Sequence, residues 1–536
     1  MRILLFLIAC STAQAFQRTA VIQDLSHRSQ VMDGPRAYRV YLPPDYAKSS
    51  KRYPVVYWFH GYDADTRERD NTMAAYVGTH DLILVDSGPV ETTGTFPLYF
   101  PELAERIDAT FRTVADRDHR GITGAGIGGF YAIWQASKCP DLVGSASSAG
   151  AATEASVGPR GFDLESAIDE IYPTLDAVRI RQSAASATVA EMLDFHLDTF
   201  AHPVPKPSSF SHIDPYPNFG VWNWEVVSDR RWPAFTVLEN VSRSGFRSAV
   251  REWVPAGAAL PNVKLTITSP RLYTASTVYP VNYIRVRDGF LRKAMQKSDA
   301  QGRLTFDLNG EDYEVGVGAV PVLTFASLEI TNGAWAAAGR PVQLRLKVLN
   351  KGAAHSAPEL VKWGSSGPGV KVSGAPLRLP ALAPGESLAI ALTCTFERPA
   401  TSGARITAAA GAATLAIDIP VFPQGEPVTD YRIADGIAVP PYERPFGEGN
   451  GDGHAGPGES FALLLPDSGV LRAAELFTND SCVDNTARIT DSGARISVPT
   501  VRPACQPGHR IQVLARIGLR YFTVEIPVWY RNEPRP

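Results

Sequence analysis

Between residues 36 and 150 the apolar positions change their spacing several times. "AYRVYLPPDY" alternates apolar and polar residues and stops at two prolines, which predicts a strand. "YPVVYWFHG" and "LILVDSG" are almost continuously apolar, the pattern of parallel strands buried on both faces. "YFPELAERIDATF" has helical spacing, with Leu103, Ile107 and Phe111 on one side. "HRGITGAGIGGFYAIWQAS" reads as strand, tight turn and helix, and "LVGSASSAG" as the next strand. Strands alternating with helices predict a doubly wound α/β sheet with right-handed crossovers. The stretch from 151 to 205 is thinner, offering one short strand in "DAVRIR" and one amphipathic helix in "ASATVAEMLDFHLDTF" (Val189, Met192, Leu193, Phe200). "HPVPKPSSF" then forms a proline-rich linker that no helix continues through.

Beyond that linker the pattern becomes short strands separated by turn signals. The spacing predicts three β-sandwich modules, at residues 210–318, 321–421 and 428–532. A multidomain chain is what 536 residues require, and 42 prolines and 44 glycines without a fixed period suit many turns. With 52 basic and 55 acidic residues there is no electrostatic case for nucleic acid or for an anionic membrane surface.

The N-terminus sets the compartment. "MRILLFLIACSTAQAF" has a basic residue, an apolar run and small residues at Ala13 and Ala15, so residues 1–15 read as a signal peptide and the first folded domain as 16–205. "LIAC" also resembles a lipobox that would acylate Cys10, a second route to an exported protein at the cell surface or in the periplasm. No later run is long and apolar enough to span a membrane. In an exported chain Cys482 and Cys505 are expected to form a disulfide, leaving Cys139 and Cys394 as buried single thiols. No C-x-x-C spacing occurs, so no cysteine zinc site is expected.

"YRVYLPPDY", "YPVVYWFHGY" and "GITGAGIGGFYAIWQASKCPDLVGSASSAG", in this order and spacing, resemble the esterase-D-like branch of the α/β-hydrolases, which includes feruloyl esterases, siderophore esterases and mycolyl-transferases. The resemblance covers about Arg36 to Gly150 and implies an α/β-hydrolase-like fold. Acyl transfer in that fold needs a nucleophile on a strained strand-to-helix elbow, a histidine held by a carboxylate, and backbone N–H donors facing the oxyanion. The resemblance places oxyanion donors at Gly61, Tyr62 and Ile127, with His60 structural in the same loop. It places the nucleophile at Gly126, which has no side chain. Asp176 precedes the last short strand instead of following it. His196 falls on a helix, as a packing or surface residue, and His202 belongs to loop structure. The implied function is that of a pseudo-esterase which binds or scaffolds, its ligand a glycan or an acyl ester of the cell envelope. The alternative is an active carboxylesterase or acyltransferase with a different nucleophile.

"GEGNGDGHAGPGES" fits the EF-hand loop template, with Glu448, Asn450, Asp452, the backbone of His454, and Glu459 at the ligand positions around Gly453. The loop, residues 448–459, reads either as a structural calcium site or as a polar linker, and no cofactor is otherwise required. Trp222 and Trp224 are expected to share one strand face inside a module core, near Tyr216, Phe219 and Trp232. "LEITNGAWAAAGRPVQLRLKVLNKG" resembles adhesion-type immunoglobulin-like repeats of bacterial surface proteins, modules that space or bind.

Overall fold

The computed structural model describes residues 19–61, 66–91, 98–150, 177–231, 234–252, 258–366, 369–373, 377–491, 494–506 and 508–529. The expected signal peptide, Cys10, Tyr62, Asp176 and Trp232 lie outside the described residues. The chain divides into two units, one holding the N-terminal sheet up to Lys206 and one holding the strands from Pro207 onward.

The first unit is built on a sheet of β1 (Val21–Ser29), β2 (Gly34–Leu42), β3 (Val55–His60), β4 (Ile83–Pro89), β5 (Arg120–Ala125), β6 (Ser145–Ala149) and β7 (Arg179–Ser183). Their order across the sheet is β1-β2-β4-β3-β5-β6-β7. β1 and β2 form an antiparallel hairpin that joins β4 antiparallel, whereas β4, β3, β5, β6 and β7 run parallel. Among the described residues, four helices cover the sheet: α1 (Thr66–Val77), α2 (Tyr99–Thr110), α3 (Ile127–Lys138) and α4 (Val189–Ala201).

β3 shows why its sequence has no polar alternation: every residue from Val55 to His60 is buried. Val56 and Trp58 point to one side, where they pack with Met73 and Val77 of α1 and Met192 and Leu193 of α4. Tyr57 and Phe59 point to the other, against Phe100 of α2 at ring separations of 5.2 and 6.2 Å. With helices on both faces, a strand needs apolar residues at every position. α4 begins with a capping box, Thr188 and Glu191 each satisfying the other's backbone N–H.

The second unit is made of strands paired almost entirely antiparallel, in successive groups. Residues 210–317 form a four-stranded and a six-stranded sheet, residues 323–422 a four-stranded and a five-stranded sheet, and residues 426–527 sheets of four, three and two strands. Trp224 bridges the first two sheets by stacking on Phe306 and meeting Phe246 edge-on. Trp222 does not share its strand. It occupies the first of two consecutive left-handed positions, Trp222 (φ 50°) and Asn223 (φ 61°), in the turn joining Phe219–Val221 to Trp224–Ser228. A two-residue hairpin with the right-handed twist of its strands demands positive φ at both positions. Both tryptophans are nonetheless buried, so the expectation of core packing stands and that of a common strand face does not.

Candidate functional site

The strand–turn–helix elbow lies where β5 hands over to α3. Gly126 sits alone between them at φ 55°, ψ −126°, a corner that L-residues rarely adopt. Its N–H donates to the Ala149 carbonyl of β6 at 3.0 Å, and its own carbonyl accepts from Phe130 N–H at 3.1 Å. The corner is therefore pinned from both sides.

Three other glycines make this corner possible, for a different reason. A Cβ on Gly124 would lie 2.5 Å from the Gly128 and Phe59 carbonyl oxygens, and one on Gly128 only 2.7 Å from His60 N. A Cβ on Gly129 would sit 2.9 Å from the Gly124 carbonyl. α3 thus lies directly on the backbone of β3 and β5, and only hydrogen fits between. Among the described residues, a Cβ on Gly126 would meet nothing within 4 Å. No described residue fills the space a nucleophile's side chain would occupy, and a glycine cannot fill it.

Gly61 and Ile127 are neighbours, as the resemblance implies for oxyanion donors. A Cβ on Gly61 would come within 2.9 Å of Ile127 Cγ2. His60, at the end of β3, faces acceptors with both ring nitrogens: Nδ1 lies 2.7 Å from the Gly61 carbonyl and Nε2 lies 3.2 Å from Asp86 Oδ1. Asp86 in turn accepts from Arg69 at 3.1 Å and from Gly88 N–H at 3.0 Å. His60 is thereby a fixed strut of this loop.

His196 is placed otherwise than a surface histidine. α4 buries it completely against the sheet, Nδ1 2.7 Å from Ser145 Oγ and Nε2 2.9 Å from Ser147 Oγ. Ser147 Oγ continues to Thr123 Oγ1 at 2.6 Å. Ser147 and Ser148 lie within β6. Burial pushes the imidazole down to about 3, so it is neutral. Gly121 makes room for the ring, since a Cβ there would fall onto His196 Nδ1. The sequence signal was the run of small residues in "GSASSAG" opposite Gly121. A hydroxyl beside an imidazole is the start of an acyl-transfer pair, but all four side chains are buried, under the sheet face and away from the elbow. His202 is exposed and close to Asp198, at the C-cap of α4.

The loop from Gly447 to Ser460 is closed by a bridge between Glu448 and Ser460. Its backbone hangs on Asp435, a fully buried carboxylate that the loop template does not contain. Asp435 accepts from the N–H groups of Gly451 (3.0 Å), Asp452 (3.1 Å) and Gly453 (3.1 Å). Asn450 and Asp452 each accept from the N–H two residues on, Glu459 accepts from Gly456 N–H, and the His454 ring stacks on Trp529. Among the described residues, no three of the Glu448, Asp452, His454 and Glu459 side chains bring their ligand atoms within 4.8 Å of one another. The Cys482–Cys505 disulfide is formed, and Cys139 and Cys394 are buried outside it.

Residues 29–86 and 100–223 match the family model described as putative esterase, less than half of the chain. Over 128 residues the chain is 33% identical to Esterase Rv1288 of Mycobacterium tuberculosis, covering 20% of this chain and 27% of that protein. The chain therefore spans about a quarter of the length of the curated relatives it matches. Among solved structures, the fluorophosphonate-binding serine hydrolase FphF of Staphylococcus aureus aligns at 18% identity and TM-score 0.27, over 35% of this chain and 88% of that one. A ferulic acid esterase of Anaeromyces mucronatus aligns at 15% identity and TM-score 0.26, over 35% and 92%. At such scores it is the sheet order and the elbow that carry the fold, not the superpositions. Over residues 29–86 and 100–223 the N-terminal part of the chain is similar to the esterase family, and it is built on a mixed α/β sheet.

Proposed function

We propose that this is an exported pseudo-esterase, a protein that uses an esterase-like domain to hold an acyl or glycosyl ligand of the cell envelope without cleaving it. The observation that carries the reading is Gly126: the elbow keeps its corner and its tight glycines, and the residue at its centre offers no attacking atom. Donors such as the Ile127 N–H at the start of α3 still favour a carbonyl or carboxylate oxygen. His60 has both ring nitrogens engaged, with Gly61 and with Asp86, and so offers no free acceptor of its own. The β-rich remainder serves as spacer and scaffold. A second reading, an active carboxylesterase or acyltransferase with another nucleophile, draws on the family match and on the Ser145–His196 contact.

The test is hydrolysis of short-chain p-nitrophenyl esters by the full mature chain, its Gly126→Ala variant and its Gly126→Ser variant, with a fluorophosphonate probe in parallel. No turnover and no covalent label in any of the three is expected, because serine alone restores neither a base nor its carboxylate. Turnover by the unaltered chain, with the probe attached to one of its own hydroxyls, would sink the proposal in favour of the second reading.

A further inference from the structure

The last module contains a group of metal-type donors that no sequence spacing announces. Ligand atoms of Asp480, Cys482 and His509 all lie within 4.8 Å of one another. Cys505 Sγ is bonded to Cys482 Sγ and so adjoins this group of three without being part of it. The four residues come from two turns, Asp480 with Cys482 and Cys505 with His509, and no C-x-x-C spacing marks them. Two sulfurs, an imidazole and a carboxylate are nevertheless the donor set that zinc takes in tetrahedral sites.

Backbone hydrogen bonds hold these donors in addition to the sulfur–sulfur bond. Cys482 N–H donates to Asp480 Oδ1 at 2.9 Å, and its carbonyl accepts from Arg502 N–H at 2.8 Å. Cys505 N–H donates to the Arg502 carbonyl at 3.0 Å, and His509 N–H to the Gln506 carbonyl at 3.2 Å. Val483 pairs with Val501 at the start of the neighbouring ladder. Asp480 also meets His509 Nε2 at 2.7 Å and Gln512 N–H at 3.0 Å, which keeps the carboxylate and the imidazole side by side. The sulfurs and the carboxylate are buried, while the histidine is about one-third exposed, 32%, and gives an ion a way in.

We propose that reduction of the Cys482–Cys505 bond converts this cluster into a zinc site, with Cys482 Sγ, Cys505 Sγ and a ring nitrogen of His509 as ligands and the Asp480 carboxylate as the fourth. A phosphine reductant supplies two electrons and is oxidised to its phosphine oxide with the oxygen of one water, the S–S bond breaks, and the two protons of that water complete the two thiols. Binding of Zn²⁺ then releases both protons as the thiolates coordinate. Disulfide and metal exclude each other, because each uses the same two sulfurs. The module is therefore cross-linked in both redox states, by a covalent bond in one and by an ion in the other.

The test uses the full chain, reduced with a phosphine under argon, freed of reductant and titrated with Co²⁺ and then Zn²⁺. The reduced chain is expected to take up one Co²⁺ with the thiolate charge-transfer and strong visible bands of a tetrahedral sulfur-containing site, and Zn²⁺ to bleach them. The oxidised chain is expected to show neither. A Cys139→Ser/Cys394→Ser variant keeps the bands. His509→Gln, which folds with its disulfide intact before reduction, weakens uptake at least about tenfold. The proposal is overturned if the reduced chain shows no bands, if they persist in Cys482→Ser/Cys505→Ser, or if they vanish in Cys139→Ser/Cys394→Ser.

Discussion

Alanine at Gly126 and alanine at Gly124 are two residues apart and separate two physical effects. At Gly126 the added Cβ meets nothing within 4 Å, so the only cost is the backbone corner at φ 55°, ψ −126°. Holding a non-glycine residue in such a corner costs about 1–3 kcal/mol. Restricting the unfolded chain returns ~0.4–1 kcal/mol, leaving a net loss near ~1–2 kcal/mol. At Gly124 the backbone is unremarkable, but the Cβ would stand 2.5 Å from Gly128 C, Gly128 O and Phe59 O. Ordinary contact is roughly 3.5 Å, so α3 and β3 would have to separate by about 1 Å. Backbone atoms on both sides prevent that locally, and the loss should exceed ~3 kcal/mol. Amide hydrogen exchange of peptides spanning residues 120–138, in the full chain, reads the opening free energy of this region directly. Gly126→Ala should accelerate exchange by roughly tenfold, and Gly124→Ala by more than a hundredfold or to the point of not folding. If Gly126→Ala proves the more damaging of the two, the packing argument for the elbow is wrong.

Two further expectations concern other parts of the chain. His196 is held near 3 in the fold and titrates near 6.5 once unfolded, so below ~6.5 the unfolded state binds a proton that the folded state refuses. The N-terminal unit should lose up to about 1.4 kcal/mol per pH unit from ~6.5 down to ~3 and show no such slope above that window. Urea midpoints at several pH values, beside His196→Gln, check this; an equal slope in the variant would remove His196 as the cause. In the last module, Asp435→Ala strips the acceptor from three backbone N–H groups and should cost about 2 kcal/mol. If the same loop holds a calcium ion, the melting temperature should rise over its value in chelator and Asp452→Ala should remove the difference; identical melting with and without calcium leaves the loop a polar turn held by Asp435.

The central strands, the elbow and α3 could be read from the chain because local rules decide them. A run such as "VVYWFH" has one comfortable place, between two layers of helices, and "GAGIGG" allows a helix to start within touching distance of a strand. The residue at the nucleophile position was equally plain, since identity needs no geometry. The β1 hairpin strand was not expected: its burial pattern is mostly exposed, and pairing with β2, not apolar alternation, holds it in place. α1 was missed as well, because "TRERDNTMAAYV" turns only Met73, Ala74, Tyr76 and Val77 inward. Trp222 was assigned to a strand because alternation does not distinguish a strand residue from the first residue of a tight hairpin turn.

What the sequence determined by itself, then, is the order of elements along the first domain, the missing side chain at Gly126 and the pairing partners available to four cysteines. Tertiary structure decided which polar groups meet. His196 finds Ser145 across 51 residues, Asp435 reaches a loop 16 to 18 residues on, and Asp480 gathers both a disulfide and a histidine. Such meetings depend on sheet register and on how turns are closed. A one-residue slip of β6 would send Ser145 and Ser147 to the face away from His196, and no window of local sequence holds that information.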